Sequence, residues 1–178
     1  MTEEILKYDE NFTEATFITK ADHIYMMILN AIIDKDLNEV KHYLSENVYY
    51  YVKTLIDDCI NRDVTRIFDE MNVKTSSISN YYVTDDSINI VVNLTSRYMD
   101  YYLDNNGEYL SGINDHRIEK EHRLVFTKKL DAKALKEARR CPSCGHTLDI
   151  NSTGICPYCN QVIDMSNYDY ILTEIDSI

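Results

Sequence analysis

Four of the chain's five cysteines stand in two matched pairs, Cys141-Pro142-Ser143-Cys144 and Cys156-Pro157-Tyr158-Cys159. A C-P-x-C sequence makes a tight turn that points both sulfurs toward one centre, and two such turns at the ends of a short hairpin supply four converging thiolates. Four thiolates in a tetrahedron are the donor set of zinc, less often of iron. The 11 residues between Cys144 and Cys156 are fewer than the roughly 15–20 of the usual motif. They still allow His146 to Ile155 to run out as a strand, turn near Asn151 to Gly154 and return. Gly145 and Asn160 follow the pairs, and these two types best tolerate the left-handed backbone that turns N–H groups toward the sulfurs.

Two other uses of cysteine compete. A redox dithiol needs one pair at a helix N-terminus, whereas here two pairs match. Disulfides need an oxidising compartment, for which the sequence carries no signal. The expectation is a structural zinc held by Cys141, Cys144, Cys156 and Cys159, closed to substrate because protein fills all four positions. The 38 residues from Cys141 onward form a unit too small to be held by its own core, and zinc ligation contributes on the order of 10 kcal/mol.

Charge narrows the partners. Acidic residues outnumber basic ones 30 to 18, for a net charge of −12, which disfavours nucleic acid. Residues 141–178 hold five Asp/Glu and no Lys or Arg; zinc with four thiolates adds two more negative charges. Residues 128–140 carry six Lys/Arg against Asp131 and Glu137, a basic linker that either docks on the ribbon or an acidic partner, or is a solvated helix. The most apolar segment, Ile24 to Ile33, is interrupted by Asn30, so no membrane span is expected. The N-terminus lacks the pattern of a secretory signal, which points to the cytoplasm.

Other residues offer less. Cys59 falls on an apolar helical stripe and reads as a buried small hydrophobe. Asp115, His116, Glu119, Glu121 and His122 could do acid–base work if they lined a cavity; their setting, NDHRIEKEHR, reads as a charged loop and a solvent-facing strand edge.

The elements follow from periodicity. Ile24, Met27, Ile28, Ala31 and Ile32 recur at three and four, as do Val48, Val52, Leu55, Ile56 and Cys59, with Ser45 as a candidate cap between them. Ile88, Ile90, Val92, Leu94 and Tyr98 alternate with polar residues, which makes a strand with one buried face. Asn106-Gly107 turns it into a hairpin with a strand around Tyr109, Arg123 to Leu130 makes another, and Val73 to Val83 is a weaker candidate. Helices before antiparallel strands imply an α+β class: a helix–sheet domain over 1–130, a linker helix over 131–140 and a zinc ribbon with the C-terminal tail over 141–178.

The helical stretch with Phe17, Leu29, Ile32, Asp36-Leu37 and Leu44-Ser45, the strand VVNLTSRYMDYYLD, the turn NNGEYLSG and the strand EHRLVFTKK resemble the C-terminal domain of the Tim-forty-four subunit of the mitochondrial import motor. Bacterial relatives look closer still: many add a C-P-x-C-G…C-x-x-C ribbon and end in a D-W-V-L-x-x-I-like segment, matched by Asp169 to Ile175 with Tyr170 in place of Trp. The resemblance covers residues 13–176. It implies a nuclear-transport-factor-two-like cone, in which a curved sheet wraps helices around an apolar pocket. The implied role is non-enzymatic binding of a protein, peptide or apolar ligand near membranes or translocation machinery, at the cytoplasmic face. Ile28, Tyr51, Leu55, Val92, Tyr98 and Phe126 are the candidate pocket lining. An enzyme using a His122/Asp115 pair is the alternative; an adaptor contacting its partner through Tyr158 and Tyr170 of the ribbon is a third.

Overall fold

The computed structural model describes residues 2–132, 140–141, 143–147, 156, 158–161, 165–167 and 169–178. The expected linker helix and the hairpin turn near Asn151 fall largely on residues outside this set. A short helix α1 (Thr2–Ile5) leads to the long α2 (Glu14–Asp34), a single 3-10 turn at Lys41–Tyr43 and α3 (Glu46–Asn61). Four strands follow: β1 (Thr65–Val83), β2 (Ser87–Leu103), β3 (Tyr109–Lys129) and β4 (Ile171–Ile175). They form one antiparallel sheet in the order β1-β2-β3-β4.

The helix ends follow from local chemistry. Lys35 takes the left-handed conformation (φ 56°) and, with Asp36, returns its N–H to the Ala31 carbonyl, which closes α2 without a glycine. Ser45 caps α3 through an oxygen that accepts from the Val48 N–H at 3.4 Å. Val48, Val52, Ile56 and Cys59 then face inward on one stripe, and Phe17, Ala21, Ile24, Ile28 and Ile32 do the same on α2. Against them lie Ile88, Ile90, Val92, Leu94, Leu124 and Phe126 from the inner face of the sheet.

Curvature comes from bulges. On β1, extra residues interrupt the pairing between Asp69 and Asn72, Val73 and Thr75, and Ile78 and Asn80, with Glu70 at φ 49°. Each inserted residue bends the strand and increases its twist. Two of the shifts and the serines Ser76, Ser77 and Ser79 fall within Val73 to Val83, which is why the alternation there is weak, and the shift between Asp69 and Asn72 breaks the pattern of the unexpected first half.

β3 departs further from expectation. The charged loop expected between two short strands is the middle of one 21-residue strand, with Leu94 opposite His122, Thr95 opposite Glu121 and Arg97 opposite Glu119. Arg97 and Lys74 both bind the Glu119 carboxylate there, so Glu119 lies on the ion-paired outer face of the sheet, whereas His122 of the same run is buried. The C-terminal tail, expected with the ribbon, returns instead to the helix–sheet body. Ile171–Ile175 pairs with β3, and the Ser45 N–H donates to the Leu172 carbonyl at 2.9 Å. Tyr170, expected as a ribbon contact to a partner, is buried against Phe12 and Phe17, the latter also meeting Phe126, because the returning strand carries it into the core.

Gly112 sits at φ 106° beside β2, where a Cβ would collide with the Asp100 carbonyl oxygen; Gly107, at φ 81°, has open space around it. Gly112→Ala is expected to cost on the order of 2 kcal/mol or more, and Gly107→Ala about 1 kcal/mol. Urea unfolding midpoints of the two variants check the difference.

Candidate metal centre

Each cysteine pair is built by the same backbone device. Gly145 (φ 72°) and Asn160 (φ 58°) take the left-handed conformation expected of them. Their N–H groups donate back to the carbonyls of Cys141 and Cys156, both at 2.9 Å. The Cys141 N–H in turn reaches the His146 carbonyl at 2.8 Å, and the Cys156 N–H reaches that of Gln161 at 2.9 Å. The two turns are thus equivalent, and a bridge between Arg140 and Thr147 extends the first.

The turns bring all four sulfurs within 4.8 Å of one another. Cys141 Sγ lies 3.6 Å from Cys159 Sγ, and Cys144 Sγ lies 3.7 Å from Cys156 Sγ. A tetrahedral ion with metal–sulfur bonds of about 2.3 Å has sulfur–sulfur edges of about 3.8 Å, so the spacing fits such an ion. A disulfide, at about 2.05 Å, is not formed, and all five cysteines are free. Cys141 and Cys156 are buried against Met165, while Cys144 and Cys159 face outward. The exposed His146 and Tyr158 rings stack at 4.1 Å beside them.

Without a cation the cluster is frustrated. Backbone N–H groups of Cys144 and Ser143 aim at the Cys141 sulfur and draw its thiol down to about 6. The His146 N–H favours the Cys144 thiolate too, but desolvation and the neighbouring sulfurs outweigh it and push that thiol up to about 12. Four thiolates in contact need a positive charge among them; a bound ion supplies it and displaces the protons.

The helix–sheet body is identified by a different observation: the family model for the Tim44-like domain matches residues 1–137. The chain belongs to the Tim44-like domain family. No curated protein matches the chain. Domains of this family are in general interaction modules rather than enzymes, and the curved sheet wrapped on α2 and α3 is its nuclear-transport-factor-two-like arrangement. The Tim44-like match ends ahead of Cys141, so the four-cysteine cluster and β4 lie beyond the matched residues. Among the described residues no helix is long and apolar enough to cross a membrane.

Of the six residues expected to line a pocket, Ile28, Val92, Tyr98 and Phe126 are fully buried in the Tim44-like core, and Tyr51 and Leu55 are half-buried on α3. A cleft elsewhere, at the far end of α2, is bordered by Asn30, Asp34, Asp36 and Glu39. The His122/Asp115 pair is not assembled. Asp115 is solvent-exposed beside His116, whereas His122 is only 1% exposed and stands seven positions farther along the strand, on the order of 20 Å.

His122 has other neighbours. Its Nε2 shares a hydrogen bond with the Tyr25 hydroxyl at 2.8 Å and lies 3.3 Å from Ser96 Oγ, while Nδ1 faces the Asp176 carboxylate at 3.7 Å. The sequence held a signal for this network. Ser96 shares strand parity with Leu94 and Tyr98, and His122 shares it with Leu124 and Phe126, so both point inward.

Two outcomes follow. Metal loading is expected to fall as pH drops from 7.5 to 5.5 and to be lost in Cys141→Ser, as competition with a chromogenic chelator would show. Burial also holds the His122 and His42 rings below their usual range, neutral in the fold. The unfolded chain then takes up their protons first, so stability is lost as pH falls through about 6.5. The urea midpoint should decline from pH 7.5 to 5.5, less steeply in His122→Gln/His42→Gln.

Proposed function

We propose that this chain is a non-enzymatic interaction scaffold whose Tim44-like body binds a protein or peptide partner, while a structural zinc folds the cysteine segment. The carrying observation is the closed four-sulfur centre beside a Tim44-like body: its donors leave no coordination position for substrate. Zinc suits the set because four soft thiolates in a tetrahedron match its preference. The α3 face of the body is the binding region of this reading, where Tyr51 and Leu55 are half-buried; Ile28, Val92, Tyr98 and Phe126, expected as lining, are core behind it and become accessible only if that face opens. An apolar ligand is the other candidate for that face, and the net charge of −12 argues against nucleic acid. The setting is the cytoplasmic face of a membrane or translocation assembly, reached peripherally.

Elemental analysis of reduced, purified protein should find one zinc per chain. Cross-linking capture in cells should recover a protein partner with the unaltered chain, and the same partner should be recovered by the body when Cys141 and Cys144 are both changed to Ser. Stoichiometric iron would overturn the metal assignment, and capture of no partner would overturn the scaffold.

A further inference from the structure

The outer face of the sheet is not wet along its whole length. On β2 and β3 the residues that alternate with the core row are paired in register, Val91 with Val125, Asn93 with Arg123 and Thr95 with Glu121, and they point away from α2 and α3. Asn93, Arg123 and Glu121 are exposed, as an outer face requires. Two residues farther along, the same face is dry. Val125 is 0% exposed and Val91 4%, with Ile171 of β4 at 8% and Asn89 at 6% beside them. Neither valine joins the buried cluster that α2 and α3 make with the inner face. Strands alone leave one face of a sheet open to water, so a second layer lies over this strip.

Among the described residues, the 3-10 turn Met165–Asn167 lies against β3, and its Ser166 is buried. Met165 packs on its other side against Cys141 and Cys156. Strand, turn and cysteine cluster are therefore stacked in that order. The strip also keeps polar groups from water: Thr127 Oγ1 meets Asn89 Oδ1 and Thr173 Oγ1, each at 2.7 Å, while Asn89 Nδ2 is buried with no partner among the described residues. A donor buried without a partner costs free energy that contact with water returns. The layer thus sits on the sheet against a standing cost, and no pairing between β3 and β4 passes through it.

We propose that the strip of Val91, Val125 and Ile171 is a docking surface whose occupant is this chain's own cysteine segment, seated through Met165–Asn167, and that an ion on the four cysteines locks the segment there. The proposal rests on the structural-zinc reading and adds what the metal controls. With the ion bound, the turn is braced between the cysteines and β3, and the outer face is closed. Loss of the ion frees the brace, and the apolar strip is uncovered. The helix–sheet core stays folded through this change, because β4 and Tyr170 hold to the body by their own pairing and ring contacts.

The test is hydroxyl-radical footprinting of the full chain loaded with one equivalent of zinc, before and after the metal is stripped by a chelator, with side-chain oxidation read by mass spectrometry. Oxidation of Val91, Val125 and Ile171 should rise at least fivefold on stripping, while that of Leu94 and Leu124 in the core changes less than twofold. An unchanged strip after verified metal loss overturns the proposal, and so does a rise shared equally by Leu94 and Leu124, which would be general unfolding. A Met165→Asp chain that still holds zinc should show the open strip without chelation; a strip that stays closed in it also overturns the proposal. Should that variant fail to fold, the stripping experiment on the unaltered chain decides. A dimer that separates on stripping would make a second copy the occupant and overturn it too. A chain that takes up no zinc ends the zinc reading and the lock together, whereas zinc uptake with a strip that never opens ends only the lock.

Discussion

Tyr170 closes this structure. Its ring packs 5.1 Å from that of Phe17 and 6.2 Å from that of Phe12, and Phe17 in turn meets Phe126 at 5.5 Å. One side chain near the C-terminus therefore joins the segment before α2, the start of α2 and the third strand. Lys128 lies over the same ring and pairs with Asp9, and Lys20 pairs with Asp169 next door. These two ion pairs are partly buried around an aromatic cluster, where their desolvation is costly unless geometry holds them. The cluster does hold them, and that is how the tail comes to seat in the same body as the helices.

Sheet shape follows from a second constraint, the need to wrap a flat ribbon around two helices. β1 meets it with three bulges, and the same bulges spoil its long outer edge as a template for unwanted pairing, because regular runs between them are only a few residues long. The curved interior encloses polar groups as well as apolar ones. Burial keeps the Tyr25 hydroxyl protonated; it shares hydrogen bonds with Ser96 Oγ and with His122 Nε2, while His122 Nδ1 faces the Asp176 carboxylate. Tyr25, Ser96 and His122 belong to α2, β2 and β3, so a single small network fixes the relative position of three elements.

The helices were legible because Ile24, Ile28, Ile32 and Val48, Val52, Ile56 repeat at one helical period and local caps end them. The cysteine turns were legible for a similar reason, since Gly145 and Asn160 need only their own backbone to take up a positive φ. What the sequence hid is non-local. Glu119 reads as loop until Arg97 and Lys74 from two other strands are placed beside it. Tyr170 reads as surface because its partners stand more than forty residues away along the chain. His122 reads as solvent-facing in a charged run, and only its parity with Leu124 reveals the inward direction. Pattern reports what a residue's neighbours along the chain require, whereas pairing decides which face of a strand is dry.

The separate anchoring of β4 bears on what an ion bound by the four cysteines could do. The chain leaves the sheet after Lys129 and rejoins it at Tyr170, an excursion of about forty residues, and cross-linking its middle shortens the effective loop by roughly half. Loop-closure entropy varies only logarithmically, so halving the loop is worth only about 0.6 kcal/mol to the pairing of β4 with β3. Thiolate ligation is worth on the order of 10 kcal/mol to the segment that makes it. Nearly all of the ligation energy therefore stays in the cysteine turns themselves, and only the small entropic gain reaches the sheet through the chain's connectivity. Met165, which packs on the buried Cys141 and Cys156 and opens the 3-10 turn Met165–Asn167 beside β3, is a contact path by which more could pass. An ion bound there would then pass little of its ligation energy to the body, and the aromatic cluster rather than the ion would decide whether the fourth strand is in place.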